Sequence, residues 1–159
     1  MNNAHLHIIA NHLPLAGVVI GTIILLVAMV LKKSEVKLTA LGVLVFSALS
    51  SCLSYYTGEG AEEIIENIPG ISETLIHTHE ELAESFFILT LILGVSALVT
   101  FIAELNKSRI TMWLTMITLA LAVSDGILAK FVGTSGGEIR HTEIRGNAKA
   151  IYLENEEDD

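Results

Sequence analysis

Cysteine, proline and basic residues are all scarce in this 159-residue chain. The single cysteine, Cys52, excludes a disulfide within the chain. Nine Lys and Arg residues stand against 18 Asp and Glu, so the chain lacks the basic surface that nucleic-acid binding requires. Only 17% of the residues are charged, whereas a soluble domain carries about a quarter. Hydrophobic residues make up 52% of the chain, which predicts that much of it contacts lipid rather than water.

Four long apolar segments account for this composition: 13–31, 38–56, 85–103 and 110–132. Each is close to the roughly 20 residues that an α-helix needs to cross a bilayer. Lipid cannot satisfy open backbone groups, so helices are the expected conformation. The sequence therefore predicts an all-α integral membrane protein, an up-down-up-down four-helix bundle that contacts the lipid bilayer. This transmembrane domain is expected to span residues 1–145, followed by an acidic tail, 146–159, with a disordered end.

The loops predict the orientation of the bundle. The two short connections carry Lys32, Lys33 and Lys37, then Lys107 and Arg109, whereas the long connection 57–84 carries eight glutamates and neither Lys nor Arg. By the positive-inside rule the short loops are cytoplasmic, which makes both termini and the long loop extracytoplasmic. Glutamates in this loop recur at helical spacing, so we expect a short amphipathic helix, then a second helix that can run into the third span.

All six histidines lie on the predicted outer side, and their clustering predicts a haem or metal site. In a helix, His79 shares a face with Leu82, Ala83 and Phe86, so we expect it to enter the bundle, whereas His77 faces water or an acidic patch. Solvent-exposed surface histidines are the alternative interpretation.

Haem b is the leading cofactor prediction, because membrane b-type cytochromes hold haem between bundle helices through axial histidines. The second axial histidine, which would pair with His79, is left open. His12 lies close to the start of its span. His5 or His7 lies at a distance from the span closer to that of His79, if the first helix begins early. His5 and His12 share one side of that helix, and His7 points elsewhere. A zinc, iron or copper ion is the alternative occupant, with His12, His79, His141, Glu59 and Glu80 as candidate ligands.

Asp125 lies inside the fourth apolar segment, where a carboxylate is costly and usually functional. Span two carries a small polar stripe, Ser47, Ser50, Ser51 and Ser54, suited to close packing within the bundle or between two copies in a homo-oligomer. We expect Asp125 to face this stripe or the histidines, as a supporting partner or proton acceptor. A protonated structural hydrogen-bond donor is the alternative.

Three short segments resemble one family. The segments HIIANHLP at 7–14, TGEGAEE at 57–63 with the later Pro69-Gly and His79-Glu-Glu, and GGEIRHTEI at 136–144 are similar to motifs of bacterial membrane proteins containing domain of unknown function 2231. The resemblance implies a four-helix domain of the bacterial inner membrane, which elsewhere is fused to cytochrome c or Rieske domains. It also implies that His12, His79 and His141 are functional residues and that a periplasmic cytochrome or Rieske-type protein is a partner.

These observations favour electron transfer by haem b at the extracytoplasmic face, with His7, His12, His79 and His141 as candidate cofactor ligands. A non-haem metal-binding membrane protein and a cofactor-free structural or assembly subunit are the alternatives. The sequence contains no nucleophile elbow or phosphate-binding loop, so an electron carrier or binding protein is expected rather than an enzyme.

Overall fold

Four long helices form the part of the chain that the computed structural model describes, residues 2–69 and 71–145. They are α1 (Asn3–Leu31), α2 (Ser34–Ile65), α3 (Glu73–Leu105) and α4 (Thr111–Arg140), followed by a short 3-10 helix, Thr142–Ile144. No strand occurs within these ranges. All four helices are long and apolar enough to cross a membrane. The predicted all-α, four-helix architecture is therefore confirmed, whereas the predicted acidic tail lies outside the described residues.

The helices pack in a ring, α1 on α2, α2 on α3, α3 on α4, and α4 back on α1. Sequence neighbours are antiparallel, so α1 and α3 lie diagonally opposite each other, as do α2 and α4. One end of the bundle carries the start of α1, the α2–α3 connection and the end of α4; we call it the histidine end. The other carries Lys32, Lys33, Lys37 and Lys107, and we call it the lysine end.

The start of α1 extends well beyond its apolar segment. The helix begins after Asn2, whose side chain accepts a hydrogen bond from the backbone N–H of His5 at 3.0 Å, as an N-cap does. Pro14 therefore lies inside the helix rather than in its first turn. Of the two helix starts considered, the structure has the early one, and His7 lies on a helix.

The long connection is also largely helical. The glutamate-bearing segment after residue 57 forms the last turns of α2 rather than a separate helix, and α3 runs unbroken from Glu73 into its apolar segment. The separate short helix that we expected is therefore absent from the described residues, because the segment continues α2, whereas the second helix runs into the third apolar segment as expected. Side chains at the histidine end are consequently held on continuous helices.

Small residues bring α1 and α2 together. A Cβ added at Gly17 would collide with the hydroxyl of Ser47, and one added at Gly21 would lie 2.7 Å from a Leu44 methyl carbon. Ser47, Ser50 and Ser51 are buried, and their hydroxyls donate to carbonyls of their own helix. Ser47, Ser50 and Ser51 of the serine stripe therefore pack inside this bundle.

An ion pair joins α2 to α3 at the lysine end. Lys37 Nζ lies 2.9 Å from Glu104 Oε2, and the Ser34 hydroxyl donates to Glu104 Oε1 at 2.7 Å. Glu104 follows the apolar segment 85–103. Burial alone would raise the pKa of this carboxyl, but the bonds from Ser34 and Lys37 together with the Lys37 charge outweigh it and lower the pKa.

Candidate functional site

His79 turns from α3 toward α4 at the histidine end. Its Nδ1 lies 3.0 Å from Ser135 Oγ, and its ring lies against the bare Cα of Gly136. His77, two residues earlier, is exposed and lies 3.7 Å from the carboxylate of Glu81. The expectation that His79 enters the bundle while His77 faces an acidic surface is confirmed.

Hydrogen bonds define which His79 nitrogen is free. The Ser135 hydroxyl donates its own proton to the Val132 carbonyl at 3.1 Å, so its oxygen accepts from His79 Nδ1–H. The neutral ring then carries its lone pair on Nε2. A histidine whose Nδ1–H is held by an oxygen while Nε2 remains available is in the form that binds metals.

His7 turns from α1 toward α2 and is held in the same way. Its Nδ1 lies 3.0 Å from the Ser54 carbonyl oxygen and 3.2 Å from Thr57 Oγ1. A carbonyl oxygen only accepts, so Nδ1 carries the proton and Nε2 the lone pair. His7 is half-buried, on the side of α1 that buries Pro14 and Val18. It is therefore the α1 histidine that faces the bundle.

The two rings influence each other electrostatically. His7 and His79 each lie six residues before an apolar segment, outside the membrane-spanning part of their helices. Burial lowers the pKa of His79, repulsion between the protonated forms of His79 and His7 lowers it further, and a hydrogen bond to the Val132 backbone opposes both effects. Burial also lowers the pKa of His7, against a smaller opposing effect of its bond to Ser54. Both imidazoles are therefore neutral at neutral pH, which is the ligating form.

The other predicted ligands lie apart from this pair. His12 is exposed and bonds the Ile8 carbonyl of its own helix at 2.8 Å. His141 is exposed and paired with Glu143 at 2.8 Å. Glu59 and Glu80 are exposed, as is His5. Within residues 2–69 and 71–145, no group of three or more His, Cys, Asp or Glu side chains is gathered as a metal site would require.

A signal for His7 was present in the sequence. Position 7 precedes Pro14, Gly17, Gly21 and Leu25 at spacings that keep one helix face, and all four are buried. When this face of small residues is extended from the span toward the N-terminus, it includes His7 and excludes His12. The comparison of heights had favoured an early histidine, and the structure selects His7.

Asp125 forms a separate polar feature on α4. Its side chain is 0% exposed, and its Oδ2 accepts a hydrogen bond from the Thr90 hydroxyl at 2.9 Å. Its Oδ1 has no partner among the described residues. The hydrogen bond thus goes to α3 rather than to the serine stripe or the histidines that we expected it to face. Ten residues of α4, about 15 Å, separate Asp125 from Ser135.

Comparison with known proteins identifies no relative of this chain. No family model matches the chain, and no curated protein or solved structure matches it. The resemblance to proteins with domain of unknown function 2231 stays a prediction, and the functional conclusion depends on the side-chain geometry.

Proposed function

We propose that this protein holds haem b between His7 and His79 and transfers electrons at the histidine end of the bundle. One observation carries the proposal. Two imidazoles on diagonally opposed helices turn inward, burial lowers the pKa of each, and each has its Nδ1 3.0 Å from an oxygen atom, which leaves Nε2 as the nitrogen for a metal. The donor set fits haem iron, which takes two axial histidines in b-type cytochromes.

The number of available ligands favours haem over a bare metal ion. Structural zinc takes four protein ligands and catalytic zinc three, and no such group exists within the described ranges. Haem needs only two from the protein because the porphyrin supplies the others. When bound, haem supplies one-electron redox chemistry, and the protein provides ligands and a defined environment.

Glycines adjoin both rings. A Cβ at position 136 would lie 2.9 Å from His79 Cε1, and one at position 58 would lie 3.7 Å from His7 Cε1. Gly136 therefore allows α4 to lie close to the His79 ring without displacing it, whereas a Cβ at position 58 would make only an ordinary van der Waals contact with His7. The His79 ring is thereby held by a hydrogen bond at Nδ1 and by the bare backbone of Gly136, and the His7 ring by its contacts with Ser54 and Thr57.

The surface near this pair suits a basic redox partner. Seven of the glutamates on the α2 and α3 extensions are exposed: Glu59, Glu63, Glu66, Glu73, Glu80, Glu81 and Glu84. Such an acidic surface attracts proteins with a basic patch and speeds their association. Together with the positive-inside rule, it supports a histidine end that lies outside the cytoplasm, and the resemblance adds the bacterial inner membrane and a periplasmic cytochrome or Rieske-type partner to the proposal.

The absorption spectrum of protein purified from haem-replete cells tests this proposal. We expect a Soret band in the wild type that is lost in His7→Ala and His79→Ala. His12→Ala and His141→Ala are the matched controls and should keep it, because those rings lie outside the pair. A colourless wild-type protein contradicts haem binding. Stoichiometric zinc, iron or copper without haem would select an ion-binding protein, and absence of both would select a structural or assembly subunit.

A further inference from the structure

Asp125 is a buried acid without a charged partner. The apolar segments 13–31 and 85–103 of the adjacent helices α1 and α3, and 38–56 of the diagonal helix α2, contain no Asp, Glu, His, Lys or Arg. On its own helix, Lys130 is exposed and points away. Burying an ionised carboxylate that accepts a hydrogen bond from only one hydroxyl costs several kcal/mol. A bound cation or a proton would remove this cost. The atom available for it is Oδ1, which no described residue contacts with a hydrogen bond.

Hydroxyl groups lead along the bundle to this acid. Thr111, Thr115 and Thr118 lie on the buried face of α4, and Asp125 continues that face. Between Thr118 and Asp125, the buried face of α4 has Ala122, which carries no hydroxyl group. There Thr22 of α1, whose hydroxyl donates to the Val18 carbonyl at 2.7 Å, places its Oγ1 3.4 Å from the Ala122 carbonyl oxygen. We call Thr111, Thr115, Thr118 and Thr22 the hydroxyl ladder.

The spacing of the ladder is close to one helical turn throughout. Its levels on α4 are positions 111, 115, 118, 122 and 125, so successive rungs are about 4.5–6 Å apart along the axis. Thr118 Oγ1 also lies 2.9 Å from Thr100 Oγ1 and 2.8 Å from Ser96 Oγ, which widens the polar seam into α3. The hydroxyls of Thr111 and Thr115 donate to the Ser108 and Thr111 carbonyls, so their oxygens can accept from a water molecule between successive rungs, which would complete a hydrogen-bonded chain.

The two ends of this seam differ. At the lysine end, a groove of about 470 Å³ is lined by Glu104 and by Thr111, the first rung. Beyond Asp125, the same face of α4 continues with buried Ala129 and Val132, and no polar side chain is buried there before Ser135. The polar route is therefore open toward the lysine end and closed toward the histidines.

We propose that Asp125 binds a proton that reaches it from the lysine end along the hydroxyl ladder. Water in the groove gives up the proton, hydroxyls and intervening water hand it on, and a new O–H bond forms at Oδ1, converting the carboxylate to a neutral acid. Release reverses these steps. A proton fits better than a metal ion, because calcium or magnesium takes six or more oxygen ligands and the contacts here supply only the carboxyl and Thr90. This goes beyond the proposed haem function and requires no cofactor.

Infrared spectroscopy of the full-length protein in lipid nanodiscs tests the proposal. The wild type should show the carbonyl band of a protonated carboxyl, absent in Asp125→Asn, that shifts on transfer to D2O. Thr118→Val should slow that exchange about tenfold, the effect of roughly 1.4 kcal/mol in barrier height. Ser124→Ala is the matched control, because its hydroxyl is exposed and bonds only the Ala120 carbonyl. It should exchange at the wild-type rate.

Two results would overturn the proposal. One is a wild-type protein without a protonated-carboxyl band at neutral pH, since Asp125 would then be ionised. The other is equal exchange in Thr118→Val and Ser124→Ala, since the seam would then not be the route. Should Asp125→Asn fail to fold, Thr90→Val identifies the band instead, because removing the donor to Oδ2 shifts its frequency. Absence of that shift counts equally against the assignment. None of these readouts depends on haem.

Discussion

Replacing Gly136 by alanine should disturb His79 while the same change at Gly133 does not. Both glycines lie in α4, one turn apart. An added Cβ at position 136 would lie 2.9 Å from His79 Cε1 and 3.3 Å from Nδ1, whereas one at position 133 meets nothing within 4 Å. The two variants therefore differ in a single contact.

The magnitude follows from these distances. Carbon atoms pack best at about 3.5–4.0 Å, so the ring must move by at least about 0.6 Å. This movement weakens the bond to Ser135, a loss of about 0.5–1.5 kcal/mol. Alanine in place of glycine stabilises a helix interior by about 0.5–1 kcal/mol, and this gain is common to both variants. Gly133→Ala should therefore be more stable than Gly136→Ala by about 0.5–1.5 kcal/mol.

Thermal unfolding in detergent micelles measures this difference. For a chain of this size it corresponds to a gap of roughly 1–6 °C in midpoint. The same preparations report the cofactor site: Gly136→Ala should retain less haem than Gly133→Ala, because its Nε2 is displaced. Equal midpoints together with equal haem content would refute the placement of His79 against α4.

Three further predictions concern charge and hydrogen bonding. Ser135→Ala removes the acceptor of His79 Nδ1–H and should weaken haem binding about tenfold, measured by haem titration, with Ser124→Ala as control. Burial lowers the pKa values of His7 and His79, so the unfolded state binds more protons than the folded state. The free energy of unfolding should therefore be highest above about pH 6.5 and fall below that pH. It should depend less on pH in His79→Asn. Lys37→Met should lower the thermal midpoint at neutral pH, and the difference should shrink below pH 4.5, because the lowered pKa of Glu104 stabilises the fold only while the carboxyl is ionised. A midpoint indifferent to pH would contradict both titration arguments.

The four helices could be predicted because their cause is local. Each apolar segment is long enough to cross a bilayer and is bounded by charged residues. In lipid, the backbone N–H and C=O groups must form their hydrogen bonds within the chain, as a helix does. The inward direction of His79 followed for a related reason. Its helix extension lies beyond the apolar segment, where apolar Leu82 and Phe86 contrast with the polar Glu80 and Glu81, so the buried face can be recognised.

The inward direction of His7 was harder to predict, because α1 is apolar on all sides. Lipid and bundle core both accept apolar side chains, so hydrophobicity does not identify the buried face of such a helix. The rotation of α1 is decided instead by Gly17 and Gly21, which pack on Ser47 and Leu44 of α2. The resemblance and the closeness of His12 to its span favoured His12, which this rotation places on the surface.

The partner of Asp125 depended on packing as well. The sequence identified the acid as anomalous but offered the serine stripe of α2 as the polar surface to receive it. In the ring, α2 and α4 are diagonal, and the adjacent α3 supplies Thr90. Ser47, Ser50 and Ser51 donate their hydroxyl protons to carbonyls of their own helix, and Ser47 packs against Gly17 of α1. Only the order of helices around the ring distinguishes these arrangements.

Haem titration of purified wild-type, His7→Ala, His79→Ala and His12→Ala protein tests the central claim most directly. The account predicts saturation at one haem per chain with a six-coordinate, low-spin spectrum in the wild type and His12→Ala, and loss of that spectrum in each of the other two variants. Wild-type protein that does not saturate with haem, or a spectrum unchanged by His7→Ala, would contradict the assignment of these two histidines as a ligand pair.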